Sequence, residues 1–127
     1  MKAQVLAVLE RAYRGALEEQ YAHVLWMLLS LLRLGGGIAV LLRGNAALYA
    51  RRGQAWPALD VAGIRVPPPE YEAGVAGLLE TGGSVFVMDA DLGALGLTAP
   101  DLCAGVTVVT RDDVGRLFSS YASVWYL

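Results

Sequence analysis

Ser84-Val85-Phe86-Val87-Met88-Asp89-Ala90-Asp91-Leu92-Gly93-Ala94-Leu95-Gly96-Leu97 is the stretch that decides the fold. Val85 to Met88 is a continuous apolar run, the pattern of a strand buried on both faces rather than on one. Asp89 stands where a helix N-cap belongs, and Gly96 stands where that helix must stop. A doubly buried strand that feeds straight into a helix is built for a parallel sheet covered by helices.

The same alternation runs outward in both directions. Gln4 to Leu9 reads as a buried strand, and the stretch from about Arg14 to Leu34 has a helical period ended by Gly35-Gly36-Gly37. Ile38 to Leu42 is a second strand, and Arg43-Gly44-Asn45 turns it into a short helix from Ala46 to Arg52. Gly53 to Pro69 holds four of the five prolines and reads mainly as a loop, with a short extended piece at Val61 to Val66. Glu70 to Glu80 is a helix stopped by Thr81-Gly82-Gly83. Beyond the deciding stretch, Thr98-Ala99-Pro100-Asp101 opens a turn of helix, with Pro near its first position. Thr107 to Thr110 is a fourth strand, Asp112 to Ser119 a last helix and Ser123 to Leu127 a fifth strand. The pattern predicts one α/β domain over residues 1–127, a three-layer α/β/α sandwich around a mostly parallel five-stranded sheet.

Composition narrows the classes. At 127 residues the chain is one domain's worth, and with 56% hydrophobic and 17% charged residues it is not intrinsically disordered. So apolar a chain of this size is expected to form an oligomer. The long helix says where. Leu17, Tyr21, Val24, Leu25, Leu28 and Leu32 share one face, while Trp26, Met27 and Leu31 make the opposite side apolar too, the expected subunit interface. Net charge is −2 and the basic residues are scattered, which excludes a nucleic-acid platform. The longest apolar run, Val24 to Leu32, is too short for a bilayer that needs about 20 residues. The N-terminal apolar stretch is too short for a signal peptide, so a soluble cytoplasmic protein is expected.

Ligands of open parallel sheets bind beyond the carboxyl ends of the strands, and that rule sorts the polar residues. Glu10, Arg11, Tyr13 and Arg14 follow strand one; Arg43, Gly44 and Asn45 follow strand two; Asp89 and Asp91 follow strand three; Arg111 follows strand four. Two readings stay open. These residues are helix caps and solvated strand ends, or they form an anion- or nucleotide-binding crevice around Arg14, Arg43, Asn45 and Arg111. Gly35-Gly36-Gly37 precedes a strand and lacks a P-loop's lysine, so it is no phosphate cradle. No metal site and no cofactor are expected: Asp89 and Asp91 suit the first turn of a helix, and His23 has neither a second His nor a Cys at a ligand spacing. Cys103 precedes strand four, which puts it at the amino edge of the sheet. No Lys or Arg lies close by in sequence to lower its pKa, and it reads as a buried, inert thiol.

Some of these residues carry a family likeness. Arg43-Gly44-Asn45-Ala46-Ala47 after an apolar strand resembles a turn of the DsrE/DsrF/DsrH-like proteins, which include the TusB, TusC and TusD sulfur-relay subunits. Val85 to Leu97 is similar to that family's strand-turn-helix segment, and most to the DsrH/TusB branch with its acidic Asp-Leu pair, here Asp91-Leu92. Asp101-Leu102, then Gly105 to Val109, and the aromatic Trp125-Tyr126 continue the likeness, which is close over Ser84 to Leu127, looser over Gln4 to Leu48 and lost in the Pro-rich middle. The resemblance implies a DsrE-like sandwich of flavodoxin-like topology and a subunit that assembles with copies of itself or with related sulfur-relay subunits. Carrier members place a nucleophilic Cys in the segment that here reads Met88 to Asp91, where this chain has none. The resemblance therefore implies a scaffolding or binding member; a sulfurtransferase using Cys103 is the alternative within the family.

Overall fold

The computed structural model describes residues 4–11, 23–55, 57–67 and 70–127. In chain order the elements are β1 (Val5–Leu9), α1 (His23–Arg33), β2 (Ile38–Leu42), a 3-10 helix (Gly44–Ala50), β3 (Leu59–Val61), β4 (Ile64–Val66) and α2 (Tyr71–Glu80). They are followed by β5 (Ser84–Met88), α3 (Asp89–Leu95), a 3-10 turn (Ala99–Asp101), β6 (Thr107–Val109), α4 (Arg111–Ser119) and β7 (Ser123–Tyr126). The expected start of the long helix, with Tyr13, Arg14, Leu17 and Tyr21, lies outside the described residues, as does the side chain of His23.

Five strands form one parallel sheet in the order β6-β5-β2-β1-β7. The central pair runs in register from Val5 opposite Ile38 to Leu9 opposite Leu42. Side chains alternate between the two faces. Ala7, Leu9, Val40, Leu42, Val85 and Val87 meet Leu25 and Leu28 of α1 and Val75 and Leu78 of α2. Leu6, Val8, Ala39, Leu41 and Met88 meet Val114, Leu117 and Phe118 of α4. Right-handed crossovers explain the division. From β1 through β2 and β5 to β6 the sheet grows in one direction, so their connections share a face. From β6 the chain returns across the whole sheet to β7, so α4 lies on the other. Sheet strands counted along the chain thus stand 4-3-2-1-5, whereas a flavodoxin order is 2-1-3-4-5. The order reverses between β1 and β7.

Local chemistry ends the elements largely where the residue pattern places them. Gly35, at φ +93°, terminates α1, with its N–H on Leu32 O and that of Gly36 on Leu31 O. Gly96, at φ +71°, does the same for α3. The loop expected over Gly53 to Pro69 contains an antiparallel hairpin, Leu59 opposite Val66 and Val61 opposite Ile64, turning through Ala62 and Gly63. Val66 packs inward while Ile64 is exposed. The outer face of α1 is narrower than its sequence implies. Trp26 is 64% and Leu34 85% exposed, but Leu31 is half-buried against the core. By helical geometry Leu31 stands about 140° round from Trp26, beside inward-facing Leu28.

Two glycines give a test of this packing. A Cβ at Gly83 would lie 2.9 Å from the Leu78 carbonyl oxygen and 2.8 Å from Leu32 Cδ2, whereas one at Gly93 on α3 would meet nothing within 4 Å. Gly83→Ala is expected to lower unfolding free energy by about 1–3 kcal/mol. Gly93→Ala, in a helix interior, is expected to raise it by about 0.5–1 kcal/mol. Urea denaturation of the two variants checks the opposite signs.

Candidate functional site

At the carboxyl edge of the sheet the strand order sets the residues in a row. Arg111 follows β6, Asp89 and Asp91 follow β5, Arg43, Gly44 and Asn45 follow β2, and Glu10 and Arg11 follow β1. Charges of both signs therefore alternate along one rim. Arg14 lies outside the described residues. The turns behind β1, β2 and β5 are tied to one another. Arg43 N–H donates to Leu9 O at 2.8 Å, and Gly44 N–H donates to Asp91 Oδ2 at 2.9 Å. Gly44 has φ +54°, a conformation that costs a residue with a Cβ, and this aims its amide across at the neighbouring turn. A Cβ there would still find room, its nearest neighbour being Glu10 O at 3.6 Å, so conformation and not space selects glycine.

This contact changes what the Arg43-Gly44-Asn45 turn can do. The N–H that an incoming anion needs is already held by the protein's own carboxylate. Asp89 also differs from its expected part. Met88, in an extended conformation, occupies the N-cap position; Asp89 is the first helical residue, and its Oδ1 accepts the N–H of Ala90 at 2.7 Å. The strand enters the helix without a capping side chain because Met88 must stay in the sheet opposite Val109. Among the described residues, no group of three or more His, Cys, Asp or Glu side chains is placed to hold a metal ion.

The open space lies farther along the rim. Between the carboxyl ends of β1 and β7 is a pocket of about 240 Å³, lined by Val8, Leu9, Glu10, Arg11, Val24, Tyr49, Tyr126 and Leu127. This is the topological switch point of the sheet, where the strand order reverses: α1, which follows β1, lies on one face, and α4, which leads into β7, on the other. Glu10 and Arg11 were legible from their position after β1. The share of Tyr49 and Tyr126 was not, because it depends on which strand neighbours β1. A second, more open hollow of about 320 Å³ runs along the outer edge of β6 beside Leu117 and Arg116 of α4.

Cys103 sits elsewhere. Its N–H donates to Ala50 O at 2.8 Å, its neighbour Leu102 bridges to Arg51, and its Sγ lies 4.0 Å from Arg51 O. Burial pushes its thiol pKa up, and the negative charge of Glu72 pushes it the same way. Arg52 is brought near by the fold and opposes this, but with less weight. Glu72 is itself fixed, its carboxylate accepting the N–H groups of Gly53 at 3.0 Å and Gln54 at 2.8 Å. Nothing in the residues around Cys103 in sequence signals that carboxylate. It arrives from α2 through the Gly53–Gln54 turn.

No protein-family model matches the chain, and no curated protein matches it in sequence. Solved structures do match it in fold. The crystal structure of the ychN protein from E. coli aligns with a TM-score of 0.75 at 16% identity, covering 98% of this chain and 99% of that one. The structure of MTH1491, a protein of unknown function from Methanobacterium thermoautotrophicum, aligns with a TM-score of 0.59 at 18% identity, covering 95% and 96% of the two chains. The α/β architecture is thus shared from end to end with both.

A thiol whose pKa is raised is a poor nucleophile. At pH 8 Cys103 is expected to react with iodoacetamide several-fold more slowly in the native protein than in the same buffer with denaturant. An equal or faster native rate would contradict the environment described for it.

Proposed function

We propose that the chain is a DsrE/DsrH-like subunit of sulfur-relay type that serves assembly or binding and does not itself carry persulfide sulfur. The observation that carries this reading is the carboxyl end of β5. There the likeness to the family places a carrier's cysteine, and this chain has Met88, Asp89, Ala90 and Asp91, with Asp91 engaged in holding Gly44 N–H. Cys103 does not replace it, being half-buried on the other side of the 3-10 helix with its thiol kept protonated. The end-to-end agreement in fold with ychN and MTH1491 supports the DsrE-like reading, and the Asp91-Leu92 pair favours the DsrH/TusB branch within it. Against an anion- or nucleotide-binding role at the Arg43-Gly44-Asn45 turn stands the Asp91 carboxylate already seated there. No described helix is long and apolar enough to cross a membrane.

Assembly would use the outer face of α1. Trp26, Met27 and, just past the end of the helix, Leu34 are exposed, while Leu25 and Leu29 on the inner side lie over Gly74 and Gly77 of α2. The proposed partners are further copies of this chain or related relay subunits. Trp26→Glu is expected to move the protein to a later elution volume on size exclusion while its far-ultraviolet spectrum stays the same. An unchanged elution volume would remove this face from the reading.

Intact mass after incubation with a persulfide donor tests the non-carrier role. The wild-type chain is expected to gain no sulfur under conditions that load a known carrier. A reducible gain of one sulfur atom, lost in Cys103→Ser, would make the chain a carrier and overturn the proposal.

A further inference from the structure

We propose that the outer edge of β6 pairs with β6 of a second copy of this chain, antiparallel about a two-fold axis at Val108. This edge is separate from the outer face of α1, and either contact can hold without the other. β6 ends the sheet, with β5 on one side and no described strand on the other. Extended backbone runs one residue past it, since Thr110 has φ −85° and ψ 160°. A free edge is commonly guarded by charge, proline or a bulge, or by being very short. Apart from its length β6 has none of these in its sequence. Gly105-Val106-Thr107-Val108-Val109-Thr110 holds no charged residue and no proline, and Thr107 and Val108 are exposed.

The hollow beside this edge points to the occupant. It is walled by β6 and by one stripe of α4, namely Asp113, Arg116, Leu117 and Ser120. All residues from 70 to 127 are described, β6 stands three strands from β1, and α1 lies on the other face. The stripe carries one acid and one base, which meet each other loosely at 3.7 Å with side chains 55% and 84% exposed. Such a stripe is complementary to its own copy run the other way. Counting back from Thr110, at about 3.3 Å per strand residue and about 1.5 Å per helical residue, brings Val108 level with Val114 and Gly115 of α4. A two-fold axis at Val108, normal to the sheet, therefore sets Arg116 against Asp113 of the partner subunit. The strands agree with this register. Thr107 and Val109 pair with Phe86 and Met88, on the face that α4 covers, so Thr107 meets Val109 of the partner subunit and both faces continue across the axis.

The test starts from Trp26→Glu, which disables the outer face of α1. By sedimentation velocity that chain is expected to be a dimer, and Val108→Lys added to it, which sets like charges at the axis, to give a monomer. Val108 is 37% exposed, so the substitution leaves the core alone. Arg116→Glu in the same chain is expected to weaken the dimer about tenfold or more, and Asp113→Arg added to it to restore the affinity. Cross-linking needs no disruption of the edge. Facing residues of an antiparallel pair stand about 4.5–5.5 Å apart between Cα atoms, within disulfide reach. In Cys103→Ser, a further Val108→Cys should therefore close a disulfide between two copies under mild oxidation, and Ala94→Cys, exposed on α3, should not. A monomer with Trp26→Glu alone, an unchanged mass with Val108→Lys, no recovery with Asp113→Arg, or absence of the disulfide would overturn the proposal. So would masses climbing past the dimer with concentration, the mark of head-to-tail growth of β6 on β7. A wild-type chain that is already the same dimer would remove α1 from the assembly and leave this edge as its interface.

Discussion

Parallel pairing of β1 with β2, from Val5 on Ile38 to Leu9 on Leu42, places two neighbouring strands where nearly every side chain is shut off from water. Such strands need cover on both faces, and a chain of 127 residues has few helices with which to supply it. The order of the sheet meets this need. Growth in one direction from β1 to β6 lays α1 and α2 side by side on one face, and the single return to β7 draws α4 across the other. The same return makes β7 the neighbour of β1 and so creates the switch point. The pocket is therefore a consequence of how the centre of the sheet is covered.

The rim of the sheet divides for a related reason. Behind β2 and β5 the turns are short and face each other, and the Gly44 N–H to Asp91 bond closes them together. A charged acceptor on a backbone N–H is among the stronger hydrogen bonds, so an outside anion competes poorly for that amide. Behind β1 and β7 no comparable bond joins the described residues, and there the space remains open. Carboxylates and arginines alternate along the whole rim, and at the switch point Glu10 and Arg11 border a pocket.

How much of this the residues disclosed depends on what kind of signal each feature leaves. Continuous apolar runs at Val5–Leu9, Ile38–Leu42 and Val85–Met88 announce doubly buried strands, and those elements fall where the pattern puts them. Gly35 and Gly96 announce helix ends because only a residue without a Cβ turns the backbone there cheaply. Pairing order leaves no such trace, so the place of β7 beside β1, and with it Tyr126 in the pocket wall, could not be read. The hairpin of Leu59–Val61 and Ile64–Val66 was hidden by its prolines and by strands of three residues, too short to show an alternation. Asp89 has the composition of a cap, but the need to keep Met88 in the ladder moved the cap one residue back.

Cys103 shows why position along the chain and chemical environment must be argued separately. Its place before β6 puts it at the amino side, as its sequence context implies, but the groups that tune it come from far away. Glu72 belongs to α2, and Arg52 follows the 3-10 helix. The carboxylate is pinned by two backbone N–H groups and so cannot swing away to relieve a thiolate. Any partner able to activate this cysteine would have to bring its own positive charge or undo the Gly53–Gln54 turn. Both demands are steep for a thiol that is already half-buried. At the carboxyl end of β1 the charges carry no such constraint, since Glu10 and Arg11 stand exposed beside a pocket. The two edges of the sheet thus differ in kind: at the amino side the charges are spent on one another and on the backbone, and at the carboxyl rim Glu10 and Arg11 face solvent.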